Sequence, residues 1–87
     1  MILFSLDDIN SEKDAEKAVE ELTKEAIEAK TALRGKMGKI RRVQSKIRKL
    51  TMYCTSKGWK LPLKKLKQTF TSLEDEAGAH EVNLFQI

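Results

Sequence analysis

Two glycines interrupt a long helical pattern in the stretch TALRGKMGKI, residues 31–40. A glycine costs a helix interior about 1 kcal/mol relative to alanine, so Gly35 and Gly38 mark a place where a helix ends. Apolar residues recur at helical spacing on both sides of this stretch. The interruption therefore predicts two helices joined by a turn near Gly35–Gly38.

Before the interruption, apolar residues repeat every three or four positions in a heptad-like seam. Its members are Ala15, Val19, Leu22, Ala26, Ala29 and Leu33. Half of these residues are alanine, which lets helices approach closely but buries little apolar area. Ser11 to Asp14 resembles a capping box with Asp in place of Glu, and acidic residues fill the first turns. These signals predict an acidic helix A over residues 11–34.

After the interruption, the same spacing resumes and predicts two further helices. Its members are Ile40, Val43, Ile47, Leu50 and Cys54. This seam predicts a basic helix B over residues 39–57, with Gly58 at the usual C-terminal cap position. Pro62 suits the first turn of a shorter helix C over residues 62–73.

The predicted fold is all-α: an antiparallel hairpin of helices A and B plus the short helix C, in a single small domain. Residues 1–10 form an apolar N-terminal segment and residues 74–87 an acidic and apolar tail. Alternating apolar residues in both ends suggest short β-strands. They are Ile2, Phe4 and Leu6 at one end and Val82 and Leu84 at the other. The alternative is one long helix that dimerises antiparallel, and it stays open here.

Charge is strongly segregated along the chain. Residues 1–28 hold nine Asp or Glu against three Lys, a net charge of −6. Residues 29–73 hold fourteen Lys or Arg and no acid, and residues 74–87 hold four acids and no Lys or Arg. Such blocks indicate interaction surfaces. An antiparallel hairpin would also place the acidic helix A beside the basic helix B.

The chemistry-bearing residues are too few for most catalytic or metal sites. Cys54 is the only cysteine, and it lies on the apolar seam of helix B, where a buried thiol is inert. His80 is the only histidine and is distant in sequence. One Cys and one His do not supply a zinc site, and no Walker-type phosphate loop is present. We therefore expect no enzymatic activity, no metal and no cofactor.

Composition also indicates the cellular setting. No run of roughly 18 apolar residues is present, so we expect no membrane partner. The first ten residues lack the basic region and cleavage site of a signal peptide. A single cysteine cannot form an internal disulfide, which fits a reducing compartment. The sequence therefore predicts a cytoplasmic protein.

Binding residues are predicted on the two charged blocks. Candidates for a nucleic acid or an acidic partner are Arg41, Arg42, Lys46, Arg48, Lys49, Lys60, Lys64 and Lys65. Two aromatic residues among these cations, Trp59 and Tyr53, are candidates for stacking on bases. On helix A, an acidic face around Glu20, Glu21 and Glu28 is the alternative contact for a protein partner.

The sequence favours a non-enzymatic function. The first hypothesis is a small regulatory or inhibitory protein that binds a larger protein or nucleoprotein assembly through its charged helical faces. The alternative is direct, largely sequence-independent binding of DNA or RNA by the basic face of helices B and C. A homodimer is also expected, because pairing the alanine-rich seams of two chains would add the buried area that one small chain lacks.

Overall fold

The computed structural model of this protein describes residues 6–85, with side chains described through residue 80. Its elements are a short 3₁₀ helix, η1, at Leu6–Asp8, and three α-helices, α1 at Glu12–Thr31, α2 at Lys36–Lys57 and α3 at Lys60–Phe85. Residues 6–85 contain no strand, so the all-α class is confirmed for this part of the chain. Each of the three α-helices contacts the other two.

Helix α1 begins as its sequence predicts. The backbone N–H of Asp14 donates to the Ser11 hydroxyl at 3.2 Å, which satisfies one free donor of the first turn. The Asp14 carboxylate reaches one residue further back than in a regular capping box, because it accepts from the N–H of Asn10. These two bonds fix where the helix starts.

The turn between α1 and α2 differs from the prediction at both sides. Helix α1 ends at Thr31 rather than residue 34, and α2 begins at Lys36 rather than residue 39. Gly35 adopts a left-handed conformation (φ +65°) and directly precedes α2, whereas Gly38 lies inside the helix. Leu33 is therefore not part of the apolar seam: it lies in the turn and is 100% exposed.

The end of α2 agrees with the prediction. Gly58 is left-handed (φ +75°), and its N–H donates to the carbonyl of Thr55 at 3.2 Å. The next N–H, of Trp59, donates to the carbonyl of Cys54 at 3.0 Å. These bonds satisfy carbonyls that the last turn of a helix leaves free. Helix α3 then starts at Lys60, with a buried Pro62 in its first turn.

Helix α3 is much longer than the predicted helix C. It continues from Lys60 to Phe85, so residues 74–85 are helical rather than an irregular tail. Residues 82 and 84 accordingly lie in a helix and not in a strand, while residues 2 and 4 are outside the described residues. Leu73 and Ala77 are buried, and this packing extends the apolar stripe beyond residue 73.

The core is formed by the apolar stripes of all three α-helices. Its fully buried members include Ala15, Ile40, Leu50, Leu66 and Leu73. The seam alanines of α1 (Ala15, Ala26 and Ala29) are therefore buried within one chain. This removes the physical reason for which a homodimer was expected, and the homodimer stays a prediction without support from packing.

Candidate binding surfaces

The basic residues of α2 do not share one surface. Arg41 points toward α3, where its guanidinium donates to Glu74 at 2.8 Å. Lys46 points toward α1, where its ammonium pairs with Glu25 at 3.1 Å. The two side chains therefore lie on opposite flanks of α2, and each has an acidic partner within the chain.

Arg48 also faces α3, and its guanidinium lies 5.3 Å from the centre of the Phe70 ring. A cation over an aromatic face is attracted by the ring quadrupole. Arg42 and Lys49 are exposed and form none of the ion pairs found in residues 6–85. Because they are seven residues apart, they lie on the same face of α2, away from the core. Of the five predicted cations of α2, these two have neither an ion pair nor an aromatic contact in the described structure.

The start of α3 presents a second group of cations. Lys60, Lys64 and Lys65 are exposed, as the prediction of a binding surface requires. Lys65 lines a small pocket between α1 and α3, of about 230 Å³, together with Glu16 and Glu20. The first two lysines share the outer face of α3, because four residues separate them.

The two aromatic residues predicted to stack on bases are held inside the fold. The Tyr53 hydroxyl donates to the carbonyl of Ile9 at 2.7 Å. The rings of Tyr53 and Trp59 meet edge to face, with centroids 5.9 Å apart, and both pack against the core. Lys57 lies 5.6 Å from the centre of the Tyr53 ring. To stack on a base, Tyr53 or Trp59 would have to give up these contacts within the protein.

The predicted acidic face lies on the outer side of α1. Glu20, Glu21 and Glu28 are exposed and take no part in the ion pairs of the described residues. Ile27 lies among them and is 54% exposed. This surface thus carries three glutamates, with Lys17 and Lys24 beside them, around one apolar side chain.

A polar cluster between α2 and α3 was not predicted. Gln44 is only 2% exposed, yet it lies among apolar neighbours. Its amide donates to Glu74 at 2.7 Å, and its carbonyl oxygen accepts from Arg41 at 2.8 Å. The signal was present in the sequence, because Gln44 occupies an apolar seam position between Ile40 and Ile47.

These contacts also set the electrostatics of α3. Hydrogen bonds from Gln44 and Arg41 lower the pKa of the Glu74 carboxyl below its ordinary value. A hydrogen bond from Lys36, at 2.8 Å, lowers the pKa of Glu76 in the same way. Both carboxylates therefore stay charged to lower pH than a free glutamate.

The surroundings of Cys54 and of the possible metal ligands are described by the structure for residues 6–80. Cys54 is fully buried, and burial raises the pKa of its thiol. Within residues 6–80, whose side chains are described, no three His, Cys, Asp or Glu residues cluster closely enough to hold a metal ion. No helix in the described part of the chain is long and apolar enough to cross a membrane.

Comparison with known proteins gives no further guide to function: no protein-family model, no curated protein and no solved structure matches the chain.

Proposed function

We propose that this chain is a small non-enzymatic regulatory or inhibitory protein that binds a larger protein or nucleoprotein assembly through its charged helical faces. The observation that carries this proposal is the charge left free on the two sides of the bundle. Glu20, Glu21 and Glu28 remain unpaired on α1, and Arg42 and Lys49 remain unpaired on α2. Opposite charges on separate faces favour a partner that is itself charged and of defined shape.

The proposal includes the antiparallel hairpin of α1 and α2. It is supported by contacts that join the beginning of α1 to the end of α2, as in the hydrogen bond between Tyr53 and Ile9. Further along, Glu25 of α1 meets Lys46, which lies earlier in α2. In this arrangement the acidic outer face of α1 and the basic outer face of α2 are both exposed to solvent.

A second function, direct binding of DNA or RNA, is favoured by one observation. Three of the fourteen Lys and Arg in residues 29–73 form ion pairs in the described structure, and the other eleven do not. Cations without an internal partner can neutralise phosphates and release counterions. The internal engagement of Trp59 and Tyr53 argues against base stacking, so this function ranks second.

A matched pair of double variants tests the first proposal. Arg42→Glu/Lys49→Glu reverses two exposed cations of α2, and Lys17→Glu/Lys24→Glu reverses two exposed cations of α1. Because Lys17 and Lys24 lie among the acidic residues of α1, the second variant keeps that face negative, whereas the first reverses the sign of the α2 face. Both pairs are seven residues apart, and both change the net charge equally. We expect the tagged wild type and the α1 variant to retain a defined protein or assembly from lysate at equal stoichiometry, as quantified by mass spectrometry. The α2 variant should lose it.

The same proteins distinguish the second function. Fluorescence anisotropy of labelled single-stranded and double-stranded oligonucleotides is measured at low and at moderate salt. Micromolar binding that weakens by roughly tenfold or more with salt, and disappears in Arg42→Glu/Lys49→Glu alone, would favour nucleic acid over a protein partner. Equal capture by all three proteins would exclude the basic face of α2 as the contact, and the absence of oligonucleotide binding by the wild type would contradict the second function.

A further inference from the structure

An open groove with an apolar lining runs between α2 and α3. It has a volume of about 590 Å³ and lies on the flank of α2 that faces away from the Lys46–Glu25 pair. Its apolar lining residues are Ile47, Met52, Leu63, Leu66 and Phe70. Met52 is 74% exposed at its edge, although methionine is favoured in cores and in adaptable binding surfaces.

Two of the side chains that line the groove, one on each helix, are short. Thr51 and Thr71 line it from opposite sides and do not fill the space between the helices. Leu63 and Phe70 consequently pack against the core with one side and stay partly exposed on the other. Contiguous apolar surface of this kind marks an interaction site more often than scattered apolar residues do.

The length of the groove matches a short helical segment. Its lining on α3 extends from residue 63 to residue 71, which corresponds to about 12 Å along the helix axis, or roughly two turns. At one end, the hydrogen bond between Gln44 and Glu74 ties α2 to α3. The groove is thus long enough for apolar side chains from about two turns of a partner helix.

The rim of the groove is positively charged. Arg48 lines it from α2 and Lys67 from α3. Lys60 and Lys64 lie on the same face of α3 as Lys67, because the three are spaced by four and three residues. Glu74, at the end of the groove, is close enough to Arg48 to interact with it electrostatically, whereas Lys60, Lys64 and Lys67 form no ion pair in the described structure.

We propose that this groove binds an acidic amphipathic helix of a partner protein. Apolar side chains spaced by three and four residues on that helix would enter the groove, and flanking Asp or Glu would meet Arg48, Lys67 and Lys64. This assignment rests on the proposed function and specifies its partner. It differs from that proposal in placing the contact on the α3 flank of α2 rather than at Arg42 and Lys49.

Two other occupants fit less well. The outer face of α1 in a second copy offers one large exposed apolar residue, Ile27, where a groove of two turns takes several. Such a contact would also join unlike surfaces and would not close into a dimer. A nucleic acid would need an open aromatic face, and the face of Phe70 is covered by Arg48.

The test uses two labelled synthetic peptides as probes. Both are amphipathic helices of about five turns with leucine at helical spacing, and one carries Glu on the remaining positions where the other carries Lys. The matched variants are Thr71→Glu, within the groove, and Gln68→Glu, exposed on α3 outside it. Circular dichroism establishes that each variant keeps the helicity of the wild type.

We expect the wild type to bind the acidic peptide, measured by fluorescence anisotropy, and not the basic one. Thr71→Glu should weaken this binding at least about tenfold, because it adds a carboxylate to the groove, and Gln68→Glu should weaken it less than about threefold. Equal loss in both variants, equal binding of both peptides, or no binding of the acidic peptide would overturn the proposal.

Each alternative occupant of the groove would give a different experimental result. Concentration-dependent association in sedimentation that Thr71→Glu abolishes would assign the groove to a second copy. Peptide binding that requires removal of residues 1–5 would assign it to the chain's own beginning, and oligonucleotide binding lost in Thr71→Glu would assign it to nucleic acid. Each overturns the proposal. If the acidic peptide does not bind the groove but capture of an assembly still depends on Arg42 and Lys49, the groove proposal is wrong and the proposed function is retained.

Discussion

The two flanks of α2, one facing α1 and the other facing α3, differ in the side chains and ion pairs that join the helices. On the α1 side, small residues such as Ala15 and Ala26 are buried, and a single ion pair, Lys46–Glu25, joins the two helices within the described residues. On the α3 side, Phe70 stays partly exposed, and two ion pairs, Arg41–Glu74 and Lys36–Glu76, hold the helices together. Small buried side chains permit close packing on the α1 side, whereas an open groove remains between α2 and α3. We therefore expect the flank with the groove to be the one that binds a partner.

The largest expected effect comes from adding the same side chain to each flank. Ala26 is 3% exposed, so Ala26→Leu must displace packed neighbours and should lower the free energy of unfolding by about 1–3 kcal/mol. Thr71 is exposed and lines the groove, so Thr71→Leu should stay within about 0.5 kcal/mol of the wild type. Urea denaturation monitored by circular dichroism measures both. Equal destabilisation would mean that the two flanks are packed equally tightly.

The next effect concerns the turn that brings α1 onto α2. Gly35 has φ +65°, which an alanine adopts at a cost of roughly 1–2 kcal/mol, so Gly35→Ala should destabilise the fold by about that amount. Gly38 lies within α2, and a Cβ added there meets nothing within 4 Å. Gly38→Ala should therefore raise the stability by up to about 1 kcal/mol. Thermal melts of the two variants should shift in opposite directions, and a shift in the same direction would be incompatible with a turn centred on Gly35.

Local sequence signals predicted the first two helices well and the third poorly. The apolar seams of helices A and B are buried, apart from Leu33, and Gly58 ends α2 at the predicted residue. The third helix was predicted to stop at residue 73, where its stripe of large apolar residues ends, but the helix continues through the acidic residues that follow. Its extension is stabilised by Ala77 in the core and by Glu76, which pairs with Lys36 forty positions earlier. Such distant partners are not visible in a local pattern.

The binding surfaces were predictable as residue types but not as an arrangement. A helical wheel placed the basic residues of helix B on one broad face, because it does not show where two neighbouring helices pack. In the structure, Arg41 pairs with an acidic residue of α3 and Lys46 with one of α1. Arg42 and Lys49 are exposed and form no ion pair in the described residues. The groove depends on the spacing between two helices and has no counterpart in a single stretch of sequence.

The smallest expected effect is a difference in how the two flanks respond to acid. The lowered pKa values of Glu74 and Glu76 mean that both carboxylates stabilise the folded chain above the ordinary glutamate pKa of about 4.3. As the pH falls below that value and through the lowered pKa, they become protonated and their contribution is lost. Amide hydrogen exchange should therefore show α3 losing protection before α1 does.

The double variant Glu74→Gln/Glu76→Gln isolates this contribution, and Glu20→Gln/Glu21→Gln is its control because those carboxylates form no ion pair in the described structure. Below about pH 4.3 the stability of the wild type should fall more steeply than that of the α3 variant, while the control follows the wild type. Parallel curves for all three proteins would show that the ion pairs of α3 contribute nothing measurable. The α3 flank would then depend on its apolar contacts, the buried Leu66 and Leu73 and the partly exposed Leu63 and Phe70, and a partner helix in the groove would stabilise it directly.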